Sequence, residues 1–153
     1  MLKRYKTMEI NSIENGRILS ENLFEVGEMP YINANAFRLH STGELINSLH
    51  FQNYITLAKQ NPQTIFTLWT KRVGIVNKVL ESFEKPDNLI LVYSSPMVDV
   101  ETSLPENFDK TFTVYSKEAA KNEVINCGSK KNCSSCMLCY THNDVKVVKE
   151  LKR

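Results

Sequence analysis

The four cysteines of this 153-residue chain, Cys127, Cys133, Cys136 and Cys139, stand in a C-x5-C-x2-C-x2-C spacing, with no other cysteine anywhere. Thiols gathered so closely, with no distant partner, read as ligands of one inorganic centre rather than as scattered core residues. A single tetrahedral zinc is usually held by two separated C-x2-C knuckles. Here the knuckles overlap at Cys136, so three thiolates arrive from one short loop, as in cubane sites where each ligand binds a different iron. The spacing therefore favours a [4Fe-4S] cluster, with zinc as the alternative. Gly128, Ser129, Ser134 and Ser135 suit either metal, because small residues let the loop fold tightly and aim backbone N–H groups at sulfur. Two disulfides would need an oxidising compartment, which nothing in the sequence suggests.

The elements that must position this loop alternate in type. Residues 37–40 read as a short strand, and Ser41, Thr42, Gly43 and Glu44 as a turn that can cap a helix. Across residues 45–60 apolar side chains recur at helical spacing until Asn61 and Pro62 stop them. Residues 64–70 are β-branched and aromatic, hence a buried strand. A second helix carries Val73, Val76, Val79 or Leu80, and Phe83 on one face, and ends at 85–87. Residues 88–93 are almost continuously apolar, which suits a parallel strand with helices over both faces. After a polar connection, residues 110–115 form a fourth strand whose alternation suits an edge. Residues 1–35 are the least legible: one broken helix through Ile13, Ile18, Leu19, Leu23, Phe24 and Val26, then a turn at 27–30. The fold class is α/β with a parallel sheet, divided into an α/β domain at 1–126 and a cysteine-rich tail at 127–153.

In such folds chemistry sits beyond the carboxyl ends of strands. That rule selects His40 to Glu44, then Thr70, Lys71 and Arg72, then Ser94 and Ser95. Gly43 would allow close backbone approach to a cofactor, Glu44 could bind an amine or ribose hydroxyl, and Lys71 or Arg72 a carboxylate or phosphate. His40 reads equally as a ligand or as a satisfied histidine at a strand end. Lys71 and Arg72 read more simply as surface charges at a helix start. His50 and His142 look bland, the first inside a helix and the second isolated.

Composition bounds the rest. With 42% apolar residues and five glycines, the chain can build one core but hardly two. Basic residues at the start are followed by no apolar stretch of signal-peptide type, and the longest apolar run is strand-sized, so a cytoplasmic protein without a membrane span is expected. Net charge is only +2. The tail is locally basic through Lys130, Lys131, Lys146, Lys149, Lys152 and Arg153. That patch reads as a solvated face offsetting the negative charge of a thiolate centre, because nucleic-acid tracking would call for interleaved aromatics and only Tyr140 is present.

The run from Phe37 through His40, Gly43 and Glu44 to Leu45, the strand leading into Trp69, Thr70 and Lys71, and the cysteines followed by Tyr140 together resemble the gene product eighty-eight family of phage and bacterial proteins. The resemblance covers about residues 37–140. That family looks similar to radical S-adenosylmethionine barrels, which implies iron-sulfur chemistry and a partial (β/α) barrel-like sheet. Its members are longer and carry a further cysteine group in their N-terminal half, so this chain matches the C-terminal half and would supply about half a barrel. A radical S-adenosylmethionine cluster needs three cysteines and one open iron; four thiolates on one cubane leave none. The resemblance thus implies a structural or electron-transferring cluster, or a subunit of a larger enzyme. A second chain or self-association would complete the barrel. A zinc-stapled protein- or nucleic-acid-interaction module is the other class the residues allow.

Overall fold

A computed structural model describes residues 2–128 and 132–152. Ser129, Lys130, Lys131 and Arg153, named above, lie outside the described residues. The long helix α1 (Leu2–Glu21) comes first, followed by β1 (Ala36–Leu39), α2 (Ser48–Gln60), β2 (Ile65–Thr70), α3 (Val73–Leu80), β3 (Leu89–Ser94) and β4 (Lys110–Tyr115). A 3-10 turn at Ala119–Asn122, the one-turn helix α4 (Cys133–Cys136) and β5 (Val147–Leu151) complete the order. The five strands form one sheet in the order β1-β2-β3-β4-β5, every neighbour parallel.

Alternation along the strands gives the sheet two apolar faces. Leu39, Phe66, Leu68, Leu89 and Leu91 point to one, where Phe51, Ile55, Leu57 and Ala58 of α2 and Val76 and Val79 of α3 cover them. Each large apolar side chain fully buried there contributes about 1.5–3 kcal/mol. Ile90, Val92, Phe112 and Val148 point to the other, and among the described residues no apolar side chain of α1, α2 or α3 packs against them. Cys139, Leu138 and Tyr140 do. Helices over both faces were the expectation for the third strand; instead the chain around the cysteines forms the second layer. A loop can cover an apolar face when its buried polar groups are satisfied, and here Thr67 Oγ1 donates to the Cys139 carbonyl at 3.2 Å.

The fourth strand is not an edge. β4 lies between β3 and β5, because residues 147–151 of the tail return to pair with it in register from Thr111 with Val147 to Tyr115 with Leu151. That segment reads as charged and solvated because only Val148 is fully buried. Lys149, taken as part of a basic face, is ion-paired with Glu101 at 2.6 Å and Glu123 at 2.8 Å.

Several element ends move for local reasons. α2 begins three residues late because Asn47 Oδ1 accepts from the His50 N–H at 3.0 Å and so caps it. β1 stops at Leu39, since His40 takes a left-handed φ of 55°. α3 ends before Phe83, which is 42% exposed rather than part of the helix's buried face. Residues 2–21 form one continuous helix rather than a broken one, and Leu23, Phe24 and Val26, expected in it, lie beyond its end. Its end is pinned to α2 by fully buried Asn53, which donates to the carbonyls of Leu19 and Asn22 and accepts from the Phe24 N–H. A single polar side chain thus satisfies part of a helix C-terminus that would otherwise be buried unpaired.

Candidate metal centre and the strand-end residues

Asn132 starts α4 by accepting the Ser135 N–H on its Oδ1 at 2.9 Å. One helical turn then puts Cys133 and Cys136 three residues apart on the same side. Met137 ends the turn with a left-handed φ of 53°, and its N–H donates to the Cys133 carbonyl. The reversal at Met137 returns the chain to the sheet, where Cys139 is buried against Ile90, Val92 and Phe112. At the far side, the N–H groups of Asn126 and Cys127 both donate to the Lys149 carbonyl, which holds Cys127 against the outer edge of β5. Cys133 borders a small hollow with Asn35 and Ala36 at the start of β1.

Cys139 feels the other three thiols. Burial, first, and then the neighbouring Cys127 push the Cys139 thiol up to about 12; Lys110 pulls the other way, and Cys133 and Cys136 add to the push. Among the described residues no three His, Cys, Asp or Glu side chains stand together at metal-binding separation. The donor set is nonetheless of the right chemistry for a thiolophilic centre: four thiols, three of which act electrostatically on Cys139, on a loop built from one-turn and left-handed segments.

Lys110 is the residue that sequence reasoning missed. At the start of β4 it is 1% exposed, and its ammonium donates to Asn143 Oδ1 and to the Val145 carbonyl, each at 2.8 Å. Asn143 in turn donates to the carbonyls of Leu138 and Thr141. A buried cation therefore holds the segment that follows Cys139 and lies close enough to that sulfur to favour its thiolate. Lysine opening a strand gives no sequence signal of burial. An Arg38 guanidinium 4.3 Å over Trp69, and Trp69 edge-on to Phe112 at 4.5 Å, extend the same face.

The residues after β1 and β2 assemble elsewhere, on the helix-covered side, whereas Ser95 after β3 donates its hydroxyl to the Met97 and Val100 carbonyls and does not join them. Glu44 accepts from the N–H groups of Leu45 and Lys71, each at 2.8 Å, and from the Thr70 hydroxyl, so one carboxyl ties the turn after β1 to the end of β2. Lys71 meets Glu44 through its backbone N–H. Gly43 takes a φ of 86°, and a Cβ there would meet Ser12 Oγ at 3.0 Å, so α1 packs closely on the turn. His40 Nε2 lies 3.0 Å from the Tyr54 hydroxyl. The histidine thus has a structural partner, and its neighbours are Tyr54 and His50, not the cysteines. His142, on the tail, meets the Asp87 carbonyl at 2.7 Å.

No described helix is long and apolar enough to cross a membrane. No curated protein and no solved structure matches the chain significantly. Residues 28–152 match the family described as gene product 88, a span that takes in the whole sheet, the strand-end residues and all four cysteines. On that match the chain belongs to the gene product 88 family.

Proposed function

We propose that the protein is an iron-sulfur protein of phage type whose cluster, of the [4Fe-4S] kind, is held by Cys127, Cys133, Cys136 and Cys139. The observation that carries this reading is the overlapping C-x2-C-x2-C spacing, on a loop whose Cys139 is buried against the sheet and whose following segment is held by the Lys110 ammonium. Thiolates must shed their protons to bind metal, and a fixed cation lowers the charge cost of doing so. Bound there, such a cluster would pass single electrons or brace the loop. The chain's own part is to present the sulfurs, exclude water behind Phe112 and Val148, and supply backbone N–H groups from α4.

The sheet's sequential, all-parallel order, with helices on one face, supports kinship with a (β/α) barrel and the idea that the chain is part of a larger assembly. Anaerobic purification with iron, acid-labile sulfide and zinc analysis tests the reading. About four irons per chain and a broad absorbance near roughly 400 nm are expected, and a Ser at any of the four cysteine positions should remove the colour. Colourless protein with one zinc and no sulfide would make the loop a structural staple instead.

A further inference from the structure

Between α1, α2 and the carboxyl end of β1 lies a cavity of about 710 Å³, bordered by Gly16, Leu19, His40, Glu44, His50 and Tyr54. That volume is in the range of small-molecule sites, which are mostly apolar with a few placed polar groups. Three rings meet at its wall: His40 lies 5.3 Å from His50 and 5.2 Å from Tyr54, and His50 lies 4.7 Å from Tyr54, centre to centre.

His50 is 1% exposed, yet its Nε2 has no hydrogen-bond partner. Its other nitrogen, Nδ1, accepts from the Ile46 N–H at 3.4 Å. An imidazole that accepts at Nδ1 carries its proton on Nε2 when neutral, so the unpartnered atom is a donor. Burying such a donor unpaired costs about 1–3 kcal/mol, and native interiors rarely tolerate it without a guest. The Tyr54 hydroxyl and His40 Nε2 pair with each other, His40 Nδ1 is buried without a hydrogen-bond partner as His50 Nε2 is, and the Glu44 oxygens are taken by Leu45, Lys71 and Thr70. Two imidazole nitrogens are therefore left to meet a ligand, and His50 Nε2 is the one that the bond at its own Nδ1 fixes as a donor.

Charge selects among acceptors. Among the described residues, Arg38 borders the cavity but lays its guanidinium over Trp69, and the other charged wall residues, Glu28 and Glu44, are acids. A carboxylate or phosphate would enter against them. The glycine at position 16 keeps the space open, since even a Cβ there would come within 3.2 Å of Ile46 Cδ1.

We propose that this cavity is a binding site for an uncharged carbonyl compound with an apolar body, whose oxygen accepts from His50 Nε2–H. It stands apart from the cysteines and does not depend on a metal being bound there. The test uses the full chain with 15N-labelled histidine, titrated with hexanamide and, separately, with hexanoate. Hexanamide is expected to shift the His50 ring signals saturably, and hexanoate to bind at least roughly tenfold more weakly, about the cost of one mispaired buried group. His50→Phe should weaken hexanamide by a similar factor. Gly16→Leu should abolish binding by filling the cavity, with circular dichroism verifying that each variant is folded. No saturable shift with either compound, as when water alone occupies the site, would overturn the proposal. So would equal binding of hexanoate, or hexanamide binding that survives in folded His50→Phe at full strength.

Discussion

His50 carries the clearest consequence of burial at the scale of single residues. Desolvation, then the neighbouring His40, push its imidazole down from 6.5 to about 4, against a smaller upward pull from Glu44. A base whose pKa is depressed by folding stabilises the native state fully only above its unfolded value. As the pH falls from 6.5 toward 4 the unfolded chain takes up the proton first, and about 3 kcal/mol is lost across that window. Urea midpoints should therefore fall between pH 6.5 and 4, and much less so in His50→Phe; an identical fall in both would show that His50 does not titrate this way. Burial also lowers His40, so a residual dependence is expected. In sequence His50 looked bland. The usable signal was the i, i+4 pairing of His50 with Tyr54, which places two polar rings on one stripe of α2, but spacing cannot say that this stripe faces inward.

At the scale of elements, the segment between α4 and β5 is fixed by the Lys110 ammonium rather than by its own hydrogen bonds alone. Lys110→Met keeps the length and apolar stem while removing two charge-assisted bonds, to Asn143 and Val145. It should cost about 2–4 kcal/mol of stability and reduce the iron retained. Lys110→Arg, with a bulkier head in a fully buried slot, should not restore it. Iron content and stability unchanged in Lys110→Met would remove this residue from the centre. The strands β1 to β4 were legible because their apolar and β-branched runs are bounded by Asn, Pro and charged residues. β5 was not, because a parallel strand finds its partner far away in sequence and needs only one fully buried residue, Val148, to do so.

At the scale of the molecule, the two outer strands differ. The outer edge of β5 is occupied by Asn126, whose side chain bonds the Val147 carbonyl and the Lys149 N–H, and by Cys127. β1 pairs on one side only among the described strands. An open parallel edge beside exposed Phe37 is where a second chain would extend the sheet. Sedimentation equilibrium should accordingly give a mass near twice that of one chain, or a shift toward it with concentration. A monomer throughout the micromolar range would leave the edge without a partner of its own kind.

The sequence by itself determined the chemistry available, since the residue types and the overlapping C-x2-C steps are properties of the chain, and it determined most strands, because local composition governs which segments can be buried on both faces. The tertiary structure alone decided which groups meet. It put the cysteine loop over the sheet face opposite α2 and α3, set Lys110 behind the segment that follows Cys139, and gathered His40, Glu44, His50 and Tyr54 on the other side. Those meetings depend on strand order and on the twofold alternation of side chains along each strand, so one sheet separates the cysteine loop from the residues after β1 and β2, which a linear reading cannot place relative to each other.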